Sequence, residues 1–273
     1  MAKKLVATNE ERPSVDWYDL LEQAVSEPGE LEAAYKYFRK YSLANRWLAS
    51  TQLRAAGIGL APINTFKGWL DANRPVKKGE KAMVSLNMPV SVRGKKKDEG
   101  EDEDKSTGFT MFMLRRHWFH LDQTEGEEFK PEEAEVGDWN LNAALAQLEI
   151  QDVPFVFASV SDTRSTYSSG REISVSSLAE HQLFQRLREM ARIQLGHNDV
   201  VRGKNVPADV HLLEIEVETA AYLAAATLNI PGVELARQKV QENLDDCALR
   251  RIPPKSAKRA FSAADQLINA GYC

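Results

Sequence analysis

The chain has 273 residues, of which 43% are apolar and 27% charged, and its net charge is −5 at pH 7. This composition excludes a disordered, collagenous or disulfide-rich protein and suits one large or two modest domains. Its two cysteines, Cys247 and Cys273, form no C-x-x-C pair, so we predict a reducing, cytoplasmic location. No stretch approaches the roughly 18 apolar residues of a membrane span, and we predict no membrane association.

Charge is distributed unevenly along the chain. Residues 36–97 contain 14 Lys and Arg against two acids, Asp71 and Glu80, a local net charge of +12 that leaves −17 for the rest. A basic segment with interleaved aromatic residues is typical of proteins that bind single-stranded nucleic acid, because cations neutralise phosphates and planar side chains stack on bases. The pattern also fits a buried aromatic stripe backed by solvated cations, so charge alone leaves both interpretations open.

The first half of the chain shows helical patterns followed by strand patterns. A helix over 15–25 is followed by a helical pattern over 30–56 that is broken near Tyr41. A short helix at 65–73 precedes two antiparallel strands, at 83–92 and 108–121. Their connection, residues 94–108, has no apolar residue and carries six acids at 98–104, which predicts a mobile, charged hairpin tip.

The second half follows an acidic stretch and is predicted to be mainly helical. The patterns indicate helices at 140–150, 178–196 and 210–228, strands at 153–160 and 171–177, and two final helices separated at Pro253 and Pro254. The sequence therefore predicts an α+β protein of two domains. The first, over 1–130, is an α+β domain with antiparallel strands, and the second, over 139–273, is mainly helical.

Two spaced motifs in the first half are specific, namely VKKGEK at 76–81 and DQTEG at 122–126. Together with Tyr41, Asn45 and the pair Phe66 and Trp69, they make residues 15–129 resemble the N-terminal single-stranded-DNA-binding domain of ArdC-like antirestriction proteins. That domain is also found on plasmid and phage primase-like proteins. The resemblance implies binding of single strands with little sequence preference, which the local charge of +12 independently favours.

The resemblance and the charge pattern together suggest which residues contact DNA. Phosphate contacts are predicted for Arg74, Lys77, Lys78 and Lys81, because they surround a glycine turn whose N–H groups can face phosphate. Stacking is predicted for Tyr41 and Trp69, although either also fits a structural anchor, while Phe38 and Trp47 are assigned to the core. The predicted DNA-binding set is completed by four cations: Arg39, Lys40, Arg46 and Lys67.

The second half resembles the zincin-like metallopeptidase domain of ArdC-like proteins. In that domain a long helix carries H-E-x-x-H, in which both histidines bind zinc and the glutamate is the general base. Here the aligned residues are R-E-M-A-R at 188–192, so Glu189 is kept and both ligand positions are arginine. Glu214 falls at the expected third ligand and Glu218 at a second acid. Because a guanidinium has no lone pair for a metal, we predict no metal, no cofactor and no peptidase activity.

The two arginines have two possible environments. We predict that Arg188 and Arg192 pair with Glu214 or Glu218 across two helices and take the place of a dication, whereas the alternative has both pointing to water. A third arrangement, a rearranged metal site, would combine Glu189 and Glu214 with His181 or His197, which flank the same helix.

Three functions remain open from the sequence. The first is binding of single-stranded DNA in plasmid or phage DNA protection or DNA processing, with an inactive peptidase-like domain as scaffold. Its partners would be single-stranded DNA and a DNA-processing or restriction enzyme. The second is a protein-interaction module or inhibitor of a DNA-handling enzyme, and the third is an active metallopeptidase with rearranged ligands. The sequence makes no prediction of oligomeric state.

Overall fold

The computed structural model describes residues 15–26, 28–92, 109–129, 138–157, 164–198, 210–246 and 251–272. Within these ranges the chain forms nine α-helices and two three-stranded sheets, which confirms the predicted α+β class. The predicted charged tip at 94–108 lies outside the described residues. None of the described helices is both long and apolar enough to cross a membrane.

The first half combines four helices with an antiparallel sheet. The predicted break near Tyr41 is confirmed, because residues 39–42 leave the helical conformation. Strand β1 has only three residues and was not predicted, since so short a segment shows no alternation of apolar and polar residues. The sheet order is β1-β3-β2. The elements are α1 (Trp17–Ser26), α2 (Pro28–Phe38), α3 (Leu43–Ala55), β1 (Ile63–Thr65), α4 (Phe66–Asp71), β2 (Val84–Val92) and β3 (Phe109–His120).

The second half combines five helices with a small mixed sheet of order β4-β6-β5, in which β4 is parallel to β6 and β5 is antiparallel to it. Residues 153–157 of the predicted strand 153–160 form no strand, and 158–160 lie outside the described residues. The elements are α5 (Leu141–Gln147), β4 (Gln151–Asp152), β5 (Thr166–Ser169), β6 (Glu172–Val175), α6 (Gln182–Leu195), α7 (Val210–Thr227), α8 (Val233–Asp246) and α9 (Pro254–Ala270).

Two features of the second half differ from the sequence prediction for a physical reason. Helix α6 begins at Gln182 instead of residue 178, because His181 has the left-handed backbone angle φ of 49°. Strand β5 lies between the two strands predicted for this half, where no strand was predicted, and two of its hydroxyls hydrogen-bond to a buried carboxylate of α6. The residues that make those bonds, Thr166 and Ser168, are polar, so the alternation of apolar and polar residues gave no sign of a strand.

Buried apolar residues of both halves form one cluster, to which Phe38 and Trp47 belong, as predicted. Helix α9 packs against α1 and α3 of the first half and against α6 and α7 of the second. The hydroxyl of Tyr222 on α7 donates to the carbonyl of Val25 at 2.8 Å. The division of the chain between 130 and 139 stays a prediction, and residues 130–137 lie outside the described ranges.

Candidate functional site

A cavity of about 1010 Å³ opens between the end of α2, strand β1 and the segment that follows α4. Lys36 lies on the exposed side of α2, whose other side buries Phe38 in the core, and Arg39 and Lys40 follow directly after the helix ends. Two acids, Glu127 and Glu128, also line the cavity, so its charged lining is net positive. The cations are Lys36, Arg39, Lys40 and Arg74.

Aromatic side chains line the same cavity. Tyr37 is 49% exposed, while Phe129 meets Trp69 edge-on with ring centroids 5.2 Å apart. Trp69 is 1% exposed, and its Nε1 donates a hydrogen bond to the carbonyl of Phe119 at 2.9 Å. Tyr37 and Phe129 therefore present rings to the cavity. Of the two predicted roles of Trp69, its burial and hydrogen bond favour the structural anchor over stacking on DNA.

Arg74 is held at the mouth of the cavity by the motif at 122–126 and the residues after it. Its Nε donates to the Thr124 hydroxyl at 3.1 Å, and its Nη1 donates to the carbonyl of Glu127. Together with Lys77 and Phe129, it also lines a smaller adjoining cavity. Arg74 therefore lines both cavities, and the smaller one carries two cations, Arg74 and Lys77, and two acids, Asp122 and Glu128.

The two motifs that the sequence analysis singled out pair with each other. The Lys77 amide donates to the Gln123 carbonyl at 2.9 Å, and the Lys77 ammonium donates to the Asp122 carbonyl at 2.8 Å. The side-chain amide of Gln123 in turn donates to the Glu80 carboxylate at 2.7 Å and to the Lys81 carbonyl at 2.9 Å. These bonds hold the second motif against the turn at Lys77–Glu80 in the first motif.

The turn itself needs glycine and presents lysines to solvent. Gly79 has a φ of 91°, which side chains rarely adopt, and the amide of Glu80 donates to the carbonyl of Lys77 at 3.2 Å. Lys78 and Lys81 are exposed on this turn. Neither lysine lines the first cavity or the adjoining one, so both contribute charge to the surface around the turn.

The structure does not bring Arg46 to the predicted DNA-binding surface. Its side chain is 3% exposed, and its Nη2 donates to the carbonyl of Arg39 at 3.0 Å and lies 3.9 Å from the carboxylate of Asp265. The guanidinium lies over the ring of Tyr35, 4.7 Å from its centroid, and burial lowers its pKa. Helix α3 turns Arg46 inward toward α9, so its position is structural.

Tyr41 and Lys67 also lie outside the cavity lining. The Tyr41 hydroxyl donates to the carbonyl of Ile63 at 3.0 Å, and its half-buried ring meets Trp118 edge-on, an arrangement that favours an anchor. Burial raises the pKa of Tyr41. Lys67 is exposed on α4. The predicted set is therefore brought together in part, with Arg39, Lys40 and Arg74 lining the first cavity and Lys77 lining the adjoining one.

A second cluster of charged side chains joins α6 to α7. Arg192 donates from Nη1 and Nη2 to the two carboxylate oxygens of Glu214, at 2.5 and 2.8 Å. Arg188 donates from Nε to Glu218 at 2.5 Å and from Nη2 to Glu214 at 3.5 Å. The predicted pairing of the two arginines across the helices is therefore confirmed.

Glu189, between the two arginines, is fully engaged. Its side chain is 3% exposed and accepts hydrogen bonds from the hydroxyls of Thr166 and Ser168, each at 2.8 Å. Arg188 Nη1 and Arg192 Nε lie 3.2 and 3.4 Å from its oxygens. The carboxylate therefore has four partners, two hydroxyls on β5 and two guanidinium groups on its own helix, α6.

The two carboxylates of α7 that face α6 have pKa values shifted in opposite directions. Burial would raise the pKa of Glu214, but the hydrogen bond and charge of Arg192, with the charge of Arg188, lower it overall. Burial raises the pKa of Glu218, and Arg188 and Lys239 offset this only in part. Glu214 is thus held as the anion, whereas Glu218 takes up a proton more readily.

The residues of this cluster do not fit a metal ion. Both helical ligand positions carry a guanidinium, which has no lone pair to donate, and each guanidinium already binds a carboxylate. Among the described residues, no three His, Cys, Asp or Glu side chains are placed to hold a metal. The histidines of the rearranged alternative engage other acids: His197 lies 2.8 Å from Glu216 and His181 lies 3.6 Å from Glu180.

Sequence reasoning gave no role to Tyr37 or Phe129. Tyr37 could have been found, because it stands between Lys36 and Arg39 in the basic segment and does not share the spacing of the buried residues Tyr35 and Phe38. Phe129 carried no such signal. It ends the acidic run at 125–129, and only the tertiary contact with Trp69 shows that it faces the cavity.

No family model matches the chain, and no curated protein sequence matches it. Two crystal structures are similar to it, both of the antirestriction protein ArdC from plasmid R388. The metal-free structure has a TM-score of 0.52 at 17% identity and the Mn(II)-bound structure has a TM-score of 0.50 at 16% identity. Each match covers 94% of this chain and 98% of the other. The chain therefore has the ArdC fold.

Proposed function

We propose that the protein binds single-stranded DNA with little sequence preference through the cavity at the end of α2. The observation that carries this proposal is the combination of four cations with the rings of Tyr37 and Phe129 around one cavity. Cations attract any phosphate backbone, whereas exposed rings stack only on unpaired bases. The combination therefore favours single strands over duplexes.

In this proposal the two kinds of side chain have different tasks. Arg39, Lys40 and Arg74 contact phosphates, and Lys77 extends the phosphate path beyond the cavity. Tyr37 and Phe129 stack on bases, each contact contributing about 1–3 kcal/mol. Every base has a π face, so such stacking tolerates any sequence.

We further propose that the second half has no peptidase activity and serves as a scaffold. This rests on the two guanidinium groups that occupy the helical ligand positions and on the four hydrogen-bonding and ionic partners of Glu189. A general base needs a free carboxylate beside an activated water, which this arrangement does not offer. Metal analysis of the purified protein, with a peptidase assay, tests the proposal, and a stoichiometric metal would contradict it.

The process that the protein serves is proposed from its structural likeness. The similar protein is the antirestriction ArdC protein of plasmid R388, which supports protection of plasmid DNA, with a restriction or DNA-processing enzyme as a further partner. Plasmid transfer into a restricting and a non-restricting host measures this directly. We expect the protein to raise transfer into the restricting host alone.

Fluorescence anisotropy with labelled oligo-dT and a matched duplex tests the binding proposal. We expect tighter binding of the single strand and an affinity that falls with salt. Arg39→Ala should reduce the slope of log affinity against log salt by about 0.7. Tyr37→Ala should weaken binding by about 1–3 kcal/mol at an unchanged slope.

The matched control for the cation variant is Lys255→Ala, since Lys255 is an exposed cation on α9 that does not line the cavity. This variant should bind like the unaltered protein. Equal affinity for duplex and single strand, or unchanged binding by Tyr37→Ala, would contradict the proposed surface.

A further inference from the structure

A second cavity, of about 370 Å³, adjoins the first one, because Lys36 and Arg39 line both. Its remaining wall comes mainly from the second half of the chain. The residues that contribute are Trp139, Leu183 at the start of α6, Asn229 after α7, and Tyr272 after α9. The second cavity is therefore incomplete without both halves, and it lies where they meet.

Its walls offer the same kinds of contact as the first cavity. Tyr272 stacks on Tyr35 with ring centroids 5.6 Å apart and an angle of 21° between the rings. The guanidinium of Arg39 also lies over the ring of Tyr35, with its Cζ 5.2 Å from the ring centroid. Arg39 thus lines both cavities and contacts the aromatic surface of the second one.

The lining of the second cavity has two cations, Lys36 and Arg39, and two acids, Glu32 and Asp138. Glu32 is paired with Lys36 at 2.8 Å across one turn of α2, and both side chains are well exposed. Such an exposed pair contributes only about 0.3–0.5 kcal/mol, so a phosphate can compete for the lysine. Arg39 lies against the ring of Tyr35 and, like Lys36, lines both cavities.

We infer that a bound single strand continues from the first cavity, across Lys36 and Arg39, into the second cavity, so that one DNA site spans both halves. This inference rests on the proposed DNA binding and extends it. The second half then acts as part of the binding surface. A path through two cavities also agrees with the roughly 4–16 nucleotides that single-strand-binding sites cover.

Anisotropy titration of the full chain with oligo-dT of about 5 and about 20 nucleotides tests this path. Leu183→Glu places a negative charge in the second cavity at a side chain that is 37% exposed. We expect it to weaken binding of the long oligonucleotide about fivefold. Repulsion between the added carboxylate and one phosphate at the surface costs about 1 kcal/mol, which corresponds to that factor. The short oligonucleotide, which can stay in the first cavity, should bind with unchanged affinity.

The matched control is Leu178→Glu, which introduces the same charge at an 85% exposed leucine outside both cavities. Crosslinking of 5-iodouracil oligonucleotides provides an independent measurement. We expect adducts on Tyr272 with the long strand only. The inference would be overturned if Leu183→Glu bound the long strand as tightly as the unaltered protein and adducts formed only on Tyr37 and Phe129. Failure of the unaltered protein to bind any oligonucleotide would instead overturn the proposed function.

Discussion

Both terminal nitrogens of Arg192 bind the two carboxylate oxygens of Glu214, at 2.5 and 2.8 Å. This forked pair joins α6 to α7, because the planar guanidinium matches the geometry of a carboxylate. Burial would lower the pKa of Arg192, but the hydrogen bonds that it donates to Glu214 and the charge of Glu189 raise it overall. Neither partner can be neutralised near pH 7, so the helices are held by a permanent ion pair.

Removal of Arg192 should strand the charge of Glu214. We expect Arg192→Ala to lower the free energy of unfolding by about 3 kcal/mol, the lower end of the range for a broken buried pair, because Arg188 remains 3.5 Å away. Urea unfolding measures the loss. Arg186→Ala is the control on the same helix: its pair with Asp152 is more exposed and should cost under about 1 kcal/mol. Equal losses for both variants would refute the importance of the buried pair.

Restoring histidine at both arginine positions should create a metal site. Positions 188 and 192 lie on one face of α6, with Glu214 opposite them on α7. We expect Arg188→His combined with Arg192→His to bind Zn(II) or Mn(II) in isothermal titration calorimetry, since two imidazoles and a carboxylate then converge. The single variant Arg188→His supplies one imidazole and should bind at least tenfold more weakly, by about 1.4 kcal/mol. A double variant that binds no better than the single one would contradict this geometry.

Acid should weaken the fold through Glu216 as well as Glu214. Burial would raise the pKa of Glu216, but hydrogen bonds with His197 and Ser256 and the charge of Arg259 lower it overall. A carboxyl with a lowered folded pKa contributes stability that is present above its unfolded pKa, about 4.3, and is lost as pH falls through the folded value.

We therefore expect the free energy of unfolding to decline below about pH 4.3 and to decline less steeply in Glu216→Gln. Urea titrations between about pH 3 and about pH 6 measure both slopes. Glu218 acts in the opposite sense because burial raises its pKa, so Glu218→Gln should make the decline steeper. Identical slopes in all three proteins would show that these groups do not govern the acid response.

Asp265 should matter more to the start of α3 than the residue that precedes that helix. Ser42, the N-cap, makes no side-chain capping bond, whereas the Leu43 amide donates to Asp265 at 2.8 Å. We expect Asp265→Ala to cost about 1–3 kcal/mol, because it leaves a buried donor unpaired and removes the nearest acid to Arg46. Ser42→Ala, measured by the same urea unfolding, should cost less than about 0.5 kcal/mol. The reverse order would contradict the capping role of α9.

The helices and the long strands could be predicted because their apolar spacing is strong and local. The same spacing correctly assigned Phe38 and Trp47 to the core. Strand β5 could not be predicted, because its stability depends on Glu189, which lies 21 to 23 residues later on α6. Local patterns carry no information about a hydroxyl that is satisfied by a distant carboxylate.

The candidate surface was predictable in composition and less so in detail. The charge count located Arg39, Lys40 and Arg74, but charge does not tell a solvated arginine from a buried one, and Arg46 proved to be buried. The direction of its side chain is set by α9, more than 200 residues later in the chain. For Arg188 and Arg192 the sequence left two environments open, pairing with acids of α7 or exposure to water, and only the packing of α6 against α7 decides between them.

The packing of α9 against both halves has a consequence for the order of folding during synthesis. The amide of Leu43 finds its acceptor only when residue 265 is available, and the second cavity lacks a wall until Tyr272 is in place. Both contacts join residues far apart in the chain, so they form only after α9 and Tyr272 have been synthesised and have packed on the first half. The proposed path across both cavities would therefore form later than the first cavity, whose lining ends at Phe129.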